Sequence, residues 1–124
     1  MKNFKSIIFI TLLMSVLGFS NELIAQEKQM PKVTTDSIYV HGVCKMCKAR
    51  IENAALIKGV KKVNWNKYTQ YLTVIYKPAK VSMADVENEV VEAGHDTKNK
   101  KASDKKYNTL PGCCAYRSDD IKIH

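Results

Sequence analysis

Three short stretches of the chain alternate between apolar and polar residues, a pattern that indicates β-strands with one buried face. They are residues 36–42, 60–66 and 70–77. The second and third are separated only by the polar segment KYT, so together they predict a β-hairpin. A fourth stretch, residues 95–100, is more polar and predicts an edge strand.

Two further segments carry apolar residues at helical spacing and predict amphipathic helices over residues 45–58 and 83–94. Ser82 is a favourable N-cap for the second helix, and Gly59 and Gly94 are natural stops. The residues predicted to face the core are Cys47, Ile51, Ala54 and Ala55 in the first helix, and Met83, Val86, Val90 and Ala93 in the second.

The elements therefore follow the order β-α-β-β-α-β, which predicts an α+β fold of the ferredoxin-like type. This fold has a four-stranded antiparallel sheet with two helices on one face. We expect it over residues 35–100, preceded by a flexible leader at 26–34. Residues 101–124 form a C-terminal extension beyond it.

The N-terminus predicts a secretory signal peptide over residues 1–25. Lys2 and Lys5 precede an apolar run of 14 residues, and small Ala25 stands before Gln26 at the expected cleavage point. The run is shorter than the roughly 20 residues of a membrane-spanning helix, so we expect no stable membrane insertion after cleavage, although an uncleaved anchor is the alternative. The predicted location is secreted or periplasmic.

The composition narrows the classes of function. The formal net charge is +8, but the lysines are spread along the chain and export argues against a nucleic-acid partner. The 4 cysteines form two local pairs, Cys44-x-x-Cys47 and Cys113-Cys114. A disulfide within either pair would close almost no loop and add little stability.

The spacing of Cys44 and Cys47, at the start of the first predicted helix, suits a metal clamp, a redox centre or one arm of a disulfide. The helix N-terminus and the neighbouring Lys45 and Lys48 favour the thiolate form. Two soft thiolates without oxygen ligands fit Cu(I) well and would also bind Hg(II), Zn(II) or Cd(II). An exposed pair of this kind could exchange its metal with an incoming thiolate.

Three segments of the chain carry a resemblance to a known family: GVCKMCKARIE, GVKKV and VSMADVENEVVEAGHD. In these segments the chain resembles the heavy-metal-associated domain of copper chaperones, metal-pumping ATPase N-termini and periplasmic mercury-binding proteins. The resemblance implies a non-enzymatic protein that binds metal through Cys44 and Cys47. It implies as partner a metal-transporting ATPase or another thiolate metal-binding protein. The family's loop methionine is missing, and we expect Val43 or Met46 to pack beneath the loop, with a Met46 thioether ligand as the alternative.

Three more residues are candidate ligands. Cys113 and Cys114 are interpreted as a second thiolate arm folding back toward the first pair. The alternatives are a disulfide from one tail cysteine to one loop cysteine, and a free tail that dimerises through metal or a disulfide. His95 would be a third ligand or a pH-sensitive neighbour of the metal, or else a solvated loop histidine.

The predicted function is binding and transfer of a soft metal ion, with Cu(I) favoured. Zn(II) or Hg(II) binding, detoxification or metal storage is the alternative. A thiol–disulfide oxidoreductase is a third hypothesis, disfavoured because thioredoxin-like proteins carry an aromatic residue before the first cysteine and Gly-Pro between the two, and this chain has neither.

Overall fold

The computed structural model describes residues 29–124 of the chain. The predicted signal peptide, residues 1–25, and its cleavage point between Ala25 and Gln26 lie outside the described residues. Within residues 29–124, no helix has both the length and the apolar character that crossing a bilayer requires.

Three antiparallel strands form the sheet, and they are the three that strict alternation predicts. In chain order they are β1 (Thr34–Tyr39), β2 (Val60–Trp65) and β3 (Tyr71–Tyr76). Strand β3 lies in the middle, between β1 and β2. Ile38 and Trp65 both lie opposite Leu72, so these buried side chains form one row across the sheet.

Two helices contribute to the same core: α1 (Lys45–Ala55) and α2 (Met83–Glu92). Helix α1 ends three residues before the predicted Lys58, and Gly59 adopts a positive φ of 102° in the turn that follows. Ser82 caps α2 as predicted, because its hydroxyl accepts the Asp85 N–H while the Asp85 carboxylate accepts the Ser82 N–H.

The predicted fourth strand does not form; residues 95–100 make only a single β-bridge, between Thr97 and Val40. The reason is a competing local turn. The Thr97 N–H donates to the Lys100 carbonyl at 2.8 Å, and the Thr97 hydroxyl accepts the Lys100 N–H at 3.0 Å. A hydroxyl that satisfies nearby backbone groups in this way offers the chain an alternative to a sheet ladder. The sheet of the described part is therefore three-stranded.

The C-terminal extension folds back onto the domain. It contains α3 (Asp104–Tyr107) and a 3-10 turn (Gly112–Cys114). The Tyr116 hydroxyl donates to the Gly94 carbonyl at 2.7 Å and accepts the Asp96 N–H at 2.8 Å. These contacts attach the extension to the segment that follows α2.

Candidate metal centre

The loop between β1 and α1 lies against Trp65, and this contact sets its path. The Trp65 indole N–H donates to the Val40 carbonyl at 3.0 Å. A Cβ on Gly42 would lie 2.8 Å from two Trp65 ring carbons and 3.0 Å from the Cys47 Cβ. Only glycine fits so close an approach, and the next two residues then reach the start of α1.

Cys44 occupies the N-cap of α1, and Cys47 lies in its first turn. No side-chain oxygen caps this helix. The Val43 N–H, just before the helix, donates to the Cys47 sulfur at 3.5 Å. Free N–H groups at a helix N-terminus favour negative charge, so this position stabilises a thiolate.

The extension brings two more sulfurs to the same place. The Cys44 Sγ lies 3.4 Å from that of Cys47, 3.5 Å from that of Cys114 and 3.8 Å from that of Cys113. The sulfurs of Cys44, Cys47 and Cys114 all lie within 4.8 Å of one another. All four cysteines are free thiols in the structure. We call Cys44, Cys47 and Cys114 the three-sulfur group.

The predicted exposure of the Cys-x-x-Cys pair is wrong. Cys44 is only 4% exposed and Cys47 is fully buried. The reason is the extension, whose 3-10 turn contacts α1 and places Cys114, itself fully buried, against both sulfurs.

The environments of the thiols differ. Burial raises the pKa of Cys44, but hydrogen bonds from the Cys47 N–H and with the three other thiols outweigh it and lower that pKa to about 7. Burial raises the pKa of Cys47. Burial, reinforced by hydrogen bonds to Cys47 and Cys44, also raises the pKa of Cys114. Within the three-sulfur group, Cys44 is therefore the thiol that ionises most readily near neutral pH.

His95 is not among the ligand atoms of the three-sulfur group. It is fully buried, so the alternative of a solvated loop histidine is wrong. Its Nδ1 donates to the His41 carbonyl at 2.8 Å, and its ring stacks on Tyr116 with centroids 5.5 Å apart. Burial lowers the pKa of His95 and so favours the neutral imidazole. Its predicted role as a ligand stays a prediction.

The residue beneath the loop is Val43, which is buried in the core, and not Met46, which is half exposed. Met46 instead places its Sδ 3.4 Å from the Cys113 Sγ. Of the two residues predicted to pack beneath the loop, Val43 is the one that does so.

Sequence reasoning missed two residues of the extension. Arg117 is the first, and it holds the extension in place through its ion pair with Asp96. His124 is the second, and it lies beside the loop, where its N–H donates to the Val43 carbonyl at 2.9 Å. No local pattern indicates that a residue of this polar tail returns to the loop between β1 and α1.

The sulfur-rich donor set defines a class of site. Three thiols without a carboxylate or imidazole among them favour a soft ion over Mg²⁺ or Ca²⁺. A structural zinc site would use four ligands, and the three-sulfur group supplies one fewer.

Comparison with known proteins supports this class. No family model and no curated protein matches the chain. Among solved structures, a CopZ metallochaperone matches with a TM-score of 0.50 at 26% identity, over 52% of this chain and 98% of that one. Oxidised MerP from Ralstonia metallidurans matches with a TM-score of 0.50 at 25% identity, over 53% of this chain and 94% of that one.

A third match is the Cu(I)-loaded N-terminal domain of a potential copper-translocating P-type ATPase from Bacillus subtilis. Its TM-score is 0.51 at 28% identity, over 58% of this chain and 92% of that domain. The predicted resemblance to heavy-metal-associated domains, copper chaperones among them, is thus confirmed over about half of the chain.

Proposed function

We propose that the chain binds Cu(I) at the three-sulfur group and passes it to a partner protein by thiolate exchange. The observation that carries this proposal is the convergence of Cys44, Cys47 and Cys114 within 4.8 Å at a helix N-terminus. Each thiol releases its proton to solvent as its sulfur binds the ion. The ion is cargo, so the chain acts as a carrier and not as an enzyme.

Transfer requires a route to a buried sulfur. Cys44 lines a pocket of about 280 Å³ together with Lys45, Met46, Cys113 and His124. An incoming thiolate reaches the ion through this pocket on the Cys44 side, while Cys47 and Cys114 hold it from within. The partner we propose is a metal-transporting ATPase or another protein with a Cys-x-x-Cys site. The match to a P-type ATPase domain supports this choice.

Anaerobic titration tests the binding. The reduced chain is titrated with Cu(I), Zn(II) and Hg(II), each against a competing chelator, alongside Cys44→Ser and Cys47→Ser. We expect the tightest binding for Cu(I) and loss of tight binding in both variants. Unchanged affinities of both variants for all three ions would refute the proposal. Tighter binding of Zn(II) or Hg(II) would favour the alternative ions instead.

Transfer is tested separately from storage. The Cu(I)-loaded chain is mixed with an isolated Cys-x-x-Cys domain, and the rate of metal movement is compared with the rate of loss to a chelator. Movement to the domain faster than dissociation supports a carrier, whereas equal rates indicate a metal store. Gel filtration of the loaded chain detects a metal-bridged dimer.

The geometry of the two cysteines also suits a second function, that of a thiol–disulfide oxidoreductase. The lowered pKa of Cys44 and its distance of 3.4 Å from the Cys47 sulfur suit thiol–disulfide exchange. Insulin reduction with dithiothreitol and no metal is the measurement. We expect no turnover above the uncatalysed rate, and turnover would support the oxidoreductase.

We further propose that the chain is exported, on the basis of the apolar run and Ala25 in the sequence. Mass spectrometry of the protein recovered from its native compartment should give an N-terminus at Gln26. An N-terminus at Met1 in a membrane fraction would instead indicate an uncleaved anchor.

A further inference from the structure

Two soft donors lie just outside the three-sulfur group. The Cys113 sulfur is 3.8 Å from that of Cys44, yet it does not share the mutual 4.8 Å spacing of the group. The Met46 thioether sulfur lies 3.4 Å from the Cys113 sulfur. Cys44 therefore lies between two sets of sulfur donors, with Cys47 and Cys114 in one and Cys113 and Met46 in the other.

The second set opens to solvent where the first does not. Met46 is half exposed and Cys113 is partly buried, and both line the pocket of about 280 Å³ beside Cys44. An ion can therefore reach Cys113 and Met46 without displacing the extension. Burial of apolar area explains little of the contact between the Met46 and Cys113 sulfurs, because half of the Met46 side chain stays in water.

His124 adds a nitrogen donor to the same pocket. Its backbone N–H donates to the Val43 carbonyl at 2.9 Å, which attaches the C-terminus to the metal loop. Its Nδ1 lies 2.7 Å from the Lys122 carbonyl, and a carbonyl only accepts, so Nδ1 carries the proton. In the neutral imidazole, Nε2 then keeps the lone pair that binds a metal.

We propose that Cys44, Cys113 and Met46 form a second Cu(I) site, with Cys44 as a thiolate that bridges both ions and His124 as a further ligand. This site rests on the proposed function, because the first ion occupies the three-sulfur group. Cys113 loses its proton to solvent when the second ion binds, and Cys44 shares one thiolate between the ions. Thioether, thiolate and imidazole are donors that Cu(I) accepts.

Charge does not oppose the second ion. Three thiolates with one Cu(I) carry a net charge of −2, and four thiolates with two Cu(I) also carry −2, because the second ion replaces the proton that Cys113 releases. Lys45 lines the same pocket and lies beside this remaining charge. The second ion is also the one nearer to solvent, so it is the first to leave for a partner thiolate.

Stoichiometry is the first test. The full reduced chain is titrated anaerobically with Cu(I) against a competing chelator, in parallel with Met46→Leu and Cys113→Ser. Met30→Leu is the matched control, because Met30 is 59% exposed and Met46 is 50% exposed. We expect two equivalents bound by the chain and by Met30→Leu. Met46→Leu and Cys113→Ser should keep the first and weaken the second by about tenfold or more.

The outcomes separate the two proposals. If the unaltered chain does not bind even one equivalent of Cu(I) tightly, the proposed function is refuted. Tight binding of one equivalent only, or of two equivalents that Met46→Leu leaves unchanged, refutes the second site alone. A second equivalent that binds only as the chain dimerises also refutes it, since the proposed site lies within one chain.

Spectroscopy supplies a readout that does not depend on the variants. With ¹³C-labelled methionine methyl groups, the Met46 signal should stay in place during the first equivalent of Cu(I) and move during the second. Met30 and Met83 serve as internal references. A Met46 signal that does not move during the second equivalent overturns the site. His124→Gln should weaken only the second equivalent.

Discussion

Arg117 donates hydrogen bonds to both carboxylate oxygens of Asp96, with Nε 2.9 Å from Oδ2 and Nη2 2.6 Å from Oδ1. The same guanidinium donates to the Ala102 carbonyl at 2.7 Å and lies 4.3 Å from the centroid of the Tyr107 ring. Asp96 belongs to the segment after α2, and Arg117 follows Cys113 and Cys114 closely. This ion pair therefore holds the tail cysteines against the start of α1.

Arg117→Met should lower the free energy of unfolding by about 1–3 kcal/mol, because it leaves the carboxylate of Asp96 without its charged partner. The pair is largely buried, with 19% of the Arg117 side chain and 15% of the Asp96 side chain exposed. Denaturant unfolding measures the change. Lys106→Met is the control, since its pair with Glu92 is 45% and 64% exposed and should contribute at most about 0.5 kcal/mol.

The same Arg117→Met variant should expose the Cys-x-x-Cys pair. The extension covers Cys44 and Cys47, so loosening it should speed alkylation of both thiols in the metal-free protein, as followed by mass spectrometry. In Lys106→Met, the thiols of Cys44 and Cys47 should be alkylated at the same rate as in the unaltered chain. Equal rates in all three proteins would mean that Arg117 does not hold the cover.

Gly42→Ala should destabilise the domain and disturb the metal loop. The added Cβ would lie 2.8 Å from the Trp65 ring, so the loop or the indole must shift at a cost of about 1–3 kcal/mol. Thermal unfolding and Cu(I) affinity measure the two effects. Gly112→Ala offers a matched control in the 3-10 turn, because a Cβ there meets nothing within 4 Å. An unchanged Gly42→Ala protein would show that the loop yields freely.

His95 should make stability depend on pH. Its folded-state pKa lies below the ordinary value of 6.5, because burial and the charge of Arg50 disfavour the protonated ring more than the His41 carbonyl favours it. The unfolded chain therefore takes up the proton first as the pH falls. The stabilising contribution is complete above pH 6.5 and is lost as the pH falls toward the lowered pKa.

The check is to compare the unaltered chain with His95→Gln, whose amide can still donate to the His41 carbonyl. Between about pH 7.5 and about pH 5, the unaltered chain should lose more stability than the variant does. Parallel pH profiles would show that His95 keeps its proton equilibrium on folding.

Cys114→Ser should weaken binding of the first Cu(I) by about tenfold or more, equal to about 1.4 kcal/mol, and speed its transfer to a Cys-x-x-Cys acceptor. The reason is that two thiolates in place of three would hold the ion. Chelator competition and stopped-flow transfer are the measurements. Cys113→Ser is the control, since Cys113 lies outside the three-sulfur group. Equal effects of both variants on the first ion would contradict this division of roles.

Local pattern was enough for most of the elements. Alternation predicted β1 and the hairpin, helical spacing predicted the buried face of α1, and Ser82 predicted the start of α2. It failed at residues 95–100, where the alternation is weak and the Thr97 hydroxyl closes a turn that the strand pattern does not report.

The sequence by itself determined the order of the elements and the placement of Cys44 and Cys47 at a helix N-terminus, because both depend on residues close together in the chain. Only the tertiary structure decided that the pair is covered and that Cys114, Cys113 and Met46 join it. Those contacts link residues 67 to 70 positions apart. They depend on where the extension docks, and its side chains pair with Asp96 and Gly94, far from it in sequence.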